Sequence, residues 1–449
     1  MEFNDFKVAL FNKAKEAGFE KYELYYGKNE SLSIGTRDGE VDKYSLSTTA
    51  GVSFRGILNG KMGCSYTEKL DEESVKMLVE KAKECAELIE GDDDEFIFEG
   101  GLPYTEFNSY DEKIANLNPQ TQIEESIKLN TEPSKINNEI IKSEYTGIGT
   151  SKVERIIINS EGIDLREEGT VISASVYPIA KDGENMIVDG ESVMSTRLSN
   201  IKLDEIIEKG IKKTLRKKGA YPVKSGKYKV IIENDIMGAL LKTMADNFLG
   251  HIAEEGKTLL KDKIGKKIAS EKVTLVDNPF LEGAIASCSF DDEGVPTMFK
   301  NIVENGVFNG FLHSLKTAKK AGVEPTGNGF KESFKSSVKP KATNLCIKEG
   351  DKSFDELLNI VGNGLLITDL DGLHSGANSI TGDFSLAAEG LTVENGKLGR
   401  AVKQITVAGN FFDLLKNIEE VGNDFKESSL IPGVGSPSLV IKELSVAGE

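Results

Sequence analysis

Histidine is scarce in this sequence: three occur in 449 residues, and none has another beside it. A lone histidine with one carboxylate is a poor transition-metal site, because zinc takes three protein ligands in catalytic centres and four in structural ones. Cysteine is equally sparse. Cys64, Cys85, Cys288 and Cys346 contain no CxxC spacing, which excludes a zinc knuckle or a thioredoxin-type pair. Scattered thiols in a long chain suggest a reducing compartment. No run approaches the roughly 20 apolar residues that span a bilayer. The start, MEFNDFKVALFNKAKEAGF, has the pattern of an amphipathic helix without a signal-peptide core, so the cytoplasm is the expected location. Positive charge is also in deficit. With 55 basic against 73 acidic residues the net charge is −18, which argues against nucleic acid or an anionic membrane as a direct partner. One basic run, Lys209 to Lys227, is the exception, and a solvated helix end plus linker is expected there.

What is present fits a globular protein of two or three domains: 39% hydrophobic and 29% charged residues. Helical patterns cover residues 4–18, 70–89, 119–129 and 203–217. Between them, residues 21–67 and the stretch up to about residue 180 alternate in strand fashion. Asp38-Gly39, Asn59-Gly60 and Ser160-Glu161-Gly162 mark the turns. The acidic stretch Gly91 to Glu95 reads as a surface loop. After the basic run comes a strand at 227–232 and a helix from Asp235 to Leu249. Glycine-rich strands follow, with hairpins at Asn305-Gly306 and Asn395-Gly396. The expected fold is α+β with two domains: a mixed α+β domain over 1–220, and a β-rich domain over 221–449 with antiparallel strands and few helices.

Candidate chemistry is thin. His251 lies three to four residues before Glu254 and Glu255, a spacing that places them on one helical face, but a satisfied helix-end histidine is the expectation. SFDDEGVPT sets Asp291, Asp292 and Glu293 side by side before a turn. Three carboxylates could take a hard cation or a peptide amine. Consecutive extended residues point in different directions, however, which favours a capped, solvated turn. HSGANSITGDFS holds His374, Asp383 and Ser385 but no GxSxG elbow, so a glycine-rich loop shaped for close packing is expected. TGNGF, residues 326–330, lacks a phosphate-loop pattern, and Cys288 reads as a small buried hydrophobe.

In the C-terminal half, SFDDEGVPT, IVENGVFNGFLHSLKTAKKAG, PTGNGF, TNLCIKEGD, GLLITDLDG, SITGDFSLAAEGLTVENGKL and ITVAGNFFDLLKNIEEVGNDF follow one another in an order and spacing that resemble the TldD/PmbA family. RDGEVDKYSLSTTAGVSFRGILNGKMGCSYT extends the resemblance into the N-terminal half. TldD-type members carry HExxxH on a helix early in the C-terminal domain, with a cysteine near the C-terminus completing a zinc site. The histidines hold the metal and the glutamate acts as base on the metal-bound water. In LLKTMADNFLGH the matching positions are Lys242, Thr243 and Asn247, and no cysteine follows Cys346. A protonated ammonium cannot ligate zinc, and threonine cannot serve as the carboxylate base.

The resemblance therefore implies the PmbA (TldE) type: a subunit with no metal or cofactor of its own, paired with a zinc-bearing TldD-type paralogue (a heterodimer) or with itself (a homodimer). The complex encloses a chamber in which unfolded peptides are cut. Thr381, Gly382 and Ser385 are candidate contacts for a peptide or the partner. Two other functions stay open. One is hydrolysis by this chain alone, through Asp291, Asp292, Glu293 and Asp383. The other is a regulatory peptide-binding role.

Overall fold

The computed structural model describes residues 1–90, 95–428 and 431–449. All but the last residue of the acidic stretch Gly91 to Glu95 lies outside the described residues. The N-terminal half opens with helix α1 (Phe3–Glu16), strands β1 (Lys21–Arg37), β2 (Glu40–Leu58) and β3 (Lys61–Thr67), and helix α2 (Glu72–Glu87). A short turn of helix α3 (Glu112–Ala115) and α4 (Pro119–Ile136) precede β4 (Ile140–Asn159), β5 (Asp164–Asp182), β6 (Asn185–Val188), β7 (Glu191–Ser195) and α5 (Leu203–Arg216). The strands form one antiparallel sheet in the order β3-β2-β1-β4-β5-β6, with β7 also on β5. Asp38-Gly39 and Asn59-Gly60 close its first two hairpins with all four residues at positive φ, the geometry that two-residue hairpin turns require.

Alternation along these strands gives the sheet two different faces. One buries Leu24, Val52 and Phe54 under α1 and α2, and Ile148, Ala174 and Val176 under α4 and α5. The other face presents Tyr25 and Ile157 to Phe290, Val295, Leu315 and Phe334 of the C-terminal half.

That half contains β8 (Gly226–Ile232), α6 (Asn234–Met244), α7 (Gly250–Glu254), β9 (Leu275–Asp277), β10 (Lys300–Glu304), β11 (Val307–Phe308), α8 (Leu315–Ala321), β12 (Gly329–Phe330), β13 (Lys339–Pro340) and β14 (Leu345–Ile347). It continues through α9 (Phe354–Val361), β15 (Gly364–Asp371), β16 (Asp383–Glu394), β17 (Lys397–Asn410), α10 (Phe411–Lys416), β18 (Ile418–Val421), β19 (Lys426–Glu427), β20 (Val434–Ser436) and β21 (Leu439–Ala447). Two six-stranded sheets result, β17-β16-β15-β8-β21-β18 and β11-β10-β9-β14-β20-β19. The chain is thus α+β and β-rich, as the sequence implied. Its C-terminal pairing is antiparallel except at β8–β15 and β14–β20. The main core lies here, and α6 is buried in it almost all round through Ile236, Met237, Leu240, Leu241 and Met244.

Two expectations fail on tertiary grounds. The helix expected over Asp235 to Leu249 ends at Met244. A 3₁₀ turn covers Ala245–Phe248, and Leu249 is extended and bridged to Leu312. Apolar spacing cannot reveal that exchange of one helical turn for pairing with a distant segment. The basic run is solvated only in part: Lys209, Lys212, Lys224 and Lys227 are exposed, but the end of α5 is not. Lys213 binds Glu191 and Asp235, Arg216 binds Glu233, and Lys217 binds Asp189, Asp369 and Glu389. These cations tie the two halves together, which accounts for their concentration in an acidic chain.

Candidate functional site

The segment that would carry a metal motif has hydrogen-bond partners at two of its three diagnostic positions. Thr243, half-buried, donates its hydroxyl to the Ala239 carbonyl one turn back, at 3.0 Å. Lys242 is half-buried; burial lowers its pKa, the neighbouring Lys341 adds to the effect and Asp246 opposes it. Asn247 sits in the 3₁₀ turn, 1% exposed. Its amide nitrogen donates to the Met244 and Ser379 carbonyls at 3.1 and 2.6 Å, and its oxygen accepts from Thr258 Oγ1 at 3.0 Å. The 3₁₀ turn therefore fixes a buried amide that ties the end of α6 to the loop before β16.

That loop gathers further candidates. Thr381 receives Asn410 Nδ2 on its carbonyl at 2.8 Å, and its hydroxyl accepts from Asp383 N. Gly382 adopts φ +80°, and a Cβ there would lie 3.0 Å from the Phe412 ring. Ser385 N donates to Gly376 O. Exposed Asp383 accepts from Asn410 at 2.9 Å, and that bond lowers its pKa. Asn247, Thr381, Gly382 and Asp383 thus share one neighbourhood.

His251 does not belong to a site with Glu254 and Glu255. α7 has five residues; Glu254 pairs with Lys320 and Glu255 with Lys257. The expectation of a satisfied helix-end histidine is also corrected. His251 Nδ1 is buried without a hydrogen-bond partner, and burial lowers the ring's pKa.

The carboxylate turn lies elsewhere, with no hydrogen bond or ion pair to Asp383 among the described residues. The expected solvated turn is overturned: Asp291, Asp292 and Glu293 are 0, 4 and 3% exposed. The turn is inserted against the second face of the N-terminal sheet, and each side chain takes a separate direction. Asp291 accepts from its own turn, at Glu293 N and Val295 N, and from Gly329 N at 2.8 Å. Burial raises its pKa well above the carboxylate range, and the neighbouring Glu293 adds to the rise. Asp292 accepts from Arg155 Nη1 and Lys331 N, both at 2.7 Å. Glu293 accepts from Leu315 N at 2.7 Å and Arg55 Nη1 at 3.3 Å; burial raises its pKa and Arg55 opposes the rise.

The TGNGF segment supplies part of this packing through Gly329. Buried Cys288, its thiol pushed up to about 12 by burial, is a core residue. The partners Arg155, Lys331 and Arg55, which also donates from Nε to Glu23 at 2.7 Å, escape motif reasoning. Arg55 alone has a sequence signal, a single charge inside GVSFRGIL; Arg155 and Lys331 each stand beside a glutamate, in VERIIIN and GFKESF.

Zinc does not fit the donor set on α6. An ammonium, a hydroxyl and a fully bonded amide stand at the three positions, and the tail packed against the helix presents Ser428 beside Gly238. Among the described residues no three His, Cys, Asp or Glu side chains are grouped to hold a metal ion. No helix among them is long and apolar enough to cross a membrane.

Comparison with known proteins agrees along the whole chain. Family models described as PmbA/TldA metallopeptidase domain 1, central domain and C-terminal domain match residues 22–86, 109–218 and 225–448. Escherichia coli metalloprotease PmbA is 25% identical over 431 residues, 95% of this chain and 92% of that protein. A Thermotoga maritima protein described as a candidate modulator of a DNA gyrase is 31% identical in its crystal structure. The match covers 99% of this chain and 100% of that one, with a TM-score of 0.92. TldE of Thermococcus kodakarensis shares the fold, with a TM-score of 0.90 at 24% identity, covering 99% of this chain and 100% of that one. The chain belongs to the PmbA/TldD metallopeptidase family, and within it to the PmbA type.

Proposed function

We propose that this chain is the PmbA/TldE-like subunit of a two-component peptidase that processes unfolded peptides in the cytoplasm. It holds no catalytic metal, and a TldD-type paralogue supplies the zinc. One observation carries the proposal: Lys242, Thr243 and Asn247 stand where the two histidines and the glutamate of the motif would be, and Thr243 and Asn247 are hydrogen-bonded to nearby carbonyls. The two-domain division near residue 220 is part of the same proposal, as are Thr381, Gly382 and Ser385 as contacts for a peptide or the partner. Independent hydrolysis through Asp291, Asp292 and Glu293 is disfavoured, because these carboxylates are buried against arginines and backbone amides.

The test is to purify the chain alone and together with an HExxxH paralogue, then measure bound zinc and cleavage of an unfolded peptide. Zinc and activity are expected with the paralogue. Stoichiometric zinc and hydrolysis by this chain alone refute the proposal.

A further inference from the structure

Cys64 and Cys85 are the two cysteines outside the buried cores, and they meet although they belong to different elements. Cys64 is exposed on β3, Cys85 is half-buried in the last turn of α2, and their Sγ atoms lie 3.8 Å apart. Both line a cavity of about 860 Å³ between β3, α2 and the segment after β12. Met62 lines it too, two residues before Cys64 and hence on the same face of the strand. The peptidase assignment uses none of these three sulfurs.

The spacing separates two uses of such a pair. A disulfide requires the sulfurs to close to about 2.05 Å. Two metal–thiolate bonds of about 2.3 Å span the observed 3.8 Å at an S–metal–S angle of about 110° and need about 4.0 Å at 120°. The thiols therefore already stand at a chelating distance.

The donor set separates the ions. Zinc takes three or four protein ligands, and no three His, Cys, Asp or Glu side chains are grouped among the described residues. Two thiolates and a thioether are soft donors, the set that selects Cu(I). Burial and Cys85 push the Cys64 thiol up to about 11, and Lys331 opposes the rise. A cation bound at the sulfur offsets the cost of the desolvated thiolate. The bound dithiolate would carry one net negative charge, and Lys81 and Lys331 line the same cavity.

We propose that one Cu(I) ion binds between Cys64 Sγ and Cys85 Sγ, with the Met62 thioether as third donor. Binding forms two copper–thiolate bonds, releases both thiol protons to solvent and leaves the copper oxidation state unchanged. The site stands apart from the α6 neighbourhood and does not depend on the peptidase assignment.

The test titrates the full chain, reduced and kept anaerobic, with Cu(I) held by bicinchoninate, whose colour reports the copper withdrawn. One Cu(I) per chain is expected, and bound copper is expected to protect Cys64 and Cys85 together from a maleimide in peptide mass maps. Cys64→Ser, at an exposed position, and Cys85→Ser are each expected to weaken binding about a hundredfold, and Met62→Leu, which keeps the volume, about tenfold. Zinc offered in place of copper is expected not to be retained. The proposal is overturned by a chain that withdraws no copper, by bound copper that leaves either thiol reactive, or by unchanged affinity in Cys64→Ser or Met62→Leu. Zinc held by the wild type and lost in Cys64→Ser overturns it equally.

Discussion

Replacing Arg155 with methionine tests whether the carboxylate turn is a structural joint or a reactive site. Arg155 donates to Asp292 at 2.7 Å, to Glu167 at 2.5 Å and to the Phe290 carbonyl at 2.7 Å, and its guanidinium lies 4.5 Å from the Phe290 ring centroid. Asp292 and Glu167 side chains are only 5 and 13% exposed. Methionine keeps much of the volume but leaves two desolvated carboxylates without their cation, each holding one backbone N–H (Lys331 N on Asp292, Ser289 N on Glu167), and takes a donor from the Phe290 carbonyl. Removing one partner of a buried ion pair costs about 3–5 kcal/mol. For a chain of this length, about 4 kcal/mol lowers the midpoint by about 4 °C. Scanning calorimetry of the wild type, Arg155→Met, Asp292→Asn and the double variant supplies the measurement, with the two contacting sites expected to couple. Asp292→Asn keeps an acceptor for Lys331 N and is expected to cost less. In the double variant one of the stranded charges is gone, so the loss is expected to be smaller than the sum of the single losses. Two outcomes refute the reasoning: a shift below about 1 °C in Arg155→Met, or additive losses.

Other perturbations address separate parts of the molecule. A Cβ on Gly63 would lie 1.9 Å from the Ala82 carbonyl oxygen, so Gly63→Ala must separate β3 from α2. It is expected to lower stability by about 1–3 kcal/mol, read as a urea midpoint shift. Glu427 has its pKa raised to about 7 by burial, so it favours the folded state in its protonated form. The benefit is present below about pH 4.5 and is lost as pH rises through 7. Relative to wild type, Glu427→Gln is therefore expected to gain melting temperature between pH 5 and 8, and a flat difference across that range contradicts the assignment. The Cys64 and Cys85 sulfurs lie 3.8 Å apart, while Cys288 and Cys346 are buried. Diamide is expected to join the first pair alone, and slowly at neutral pH because burial and Cys85 push Cys64 up to about 11, as peptide mapping will report. Restoring the motif with Lys242→His, Thr243→Glu and Asn247→His is expected to yield no zinc-dependent cleavage. The tail has no cysteine ligand, and position 247 gives up its bonds to Ser379 and Thr258. One zinc per chain with peptide hydrolysis defeats that expectation.

Much of the fold is legible because its determinants are local. Asp-Gly and Asn-Gly pairs specify hairpin turns through their tolerance of positive φ, and all four such pairs singled out in the sequence close hairpins. α2 declares itself by an Asp71 cap, acids in its first turn and regular apolar spacing. Non-local determinants are not legible. Whether α6 continues past Met244 depends on Leu312, and whether Lys217 is solvated depends on Asp369 and Glu389.

The site divides along the same line. The substitutions at 242, 243 and 247 are visible in the sequence because the loss of a ligand or base is a property of the residue itself. Their packing roles are not visible: only the structure joins Asn247 to Ser379, 132 positions away. The carboxylate turn reverses the case. Three adjacent acids suggest chemistry or solvent from sequence alone, because burial of negative charge is improbable without a partner. The partners are Arg55 and Arg155, on strands more than 130 residues earlier, and Arg55 sits in an otherwise apolar stretch. An isolated arginine within an apolar strand and an isolated acidic cluster elsewhere are each unfavourable, and together they are mutually satisfied. Such complementary anomalies mark the seam between the two halves, which is where these ion pairs lie.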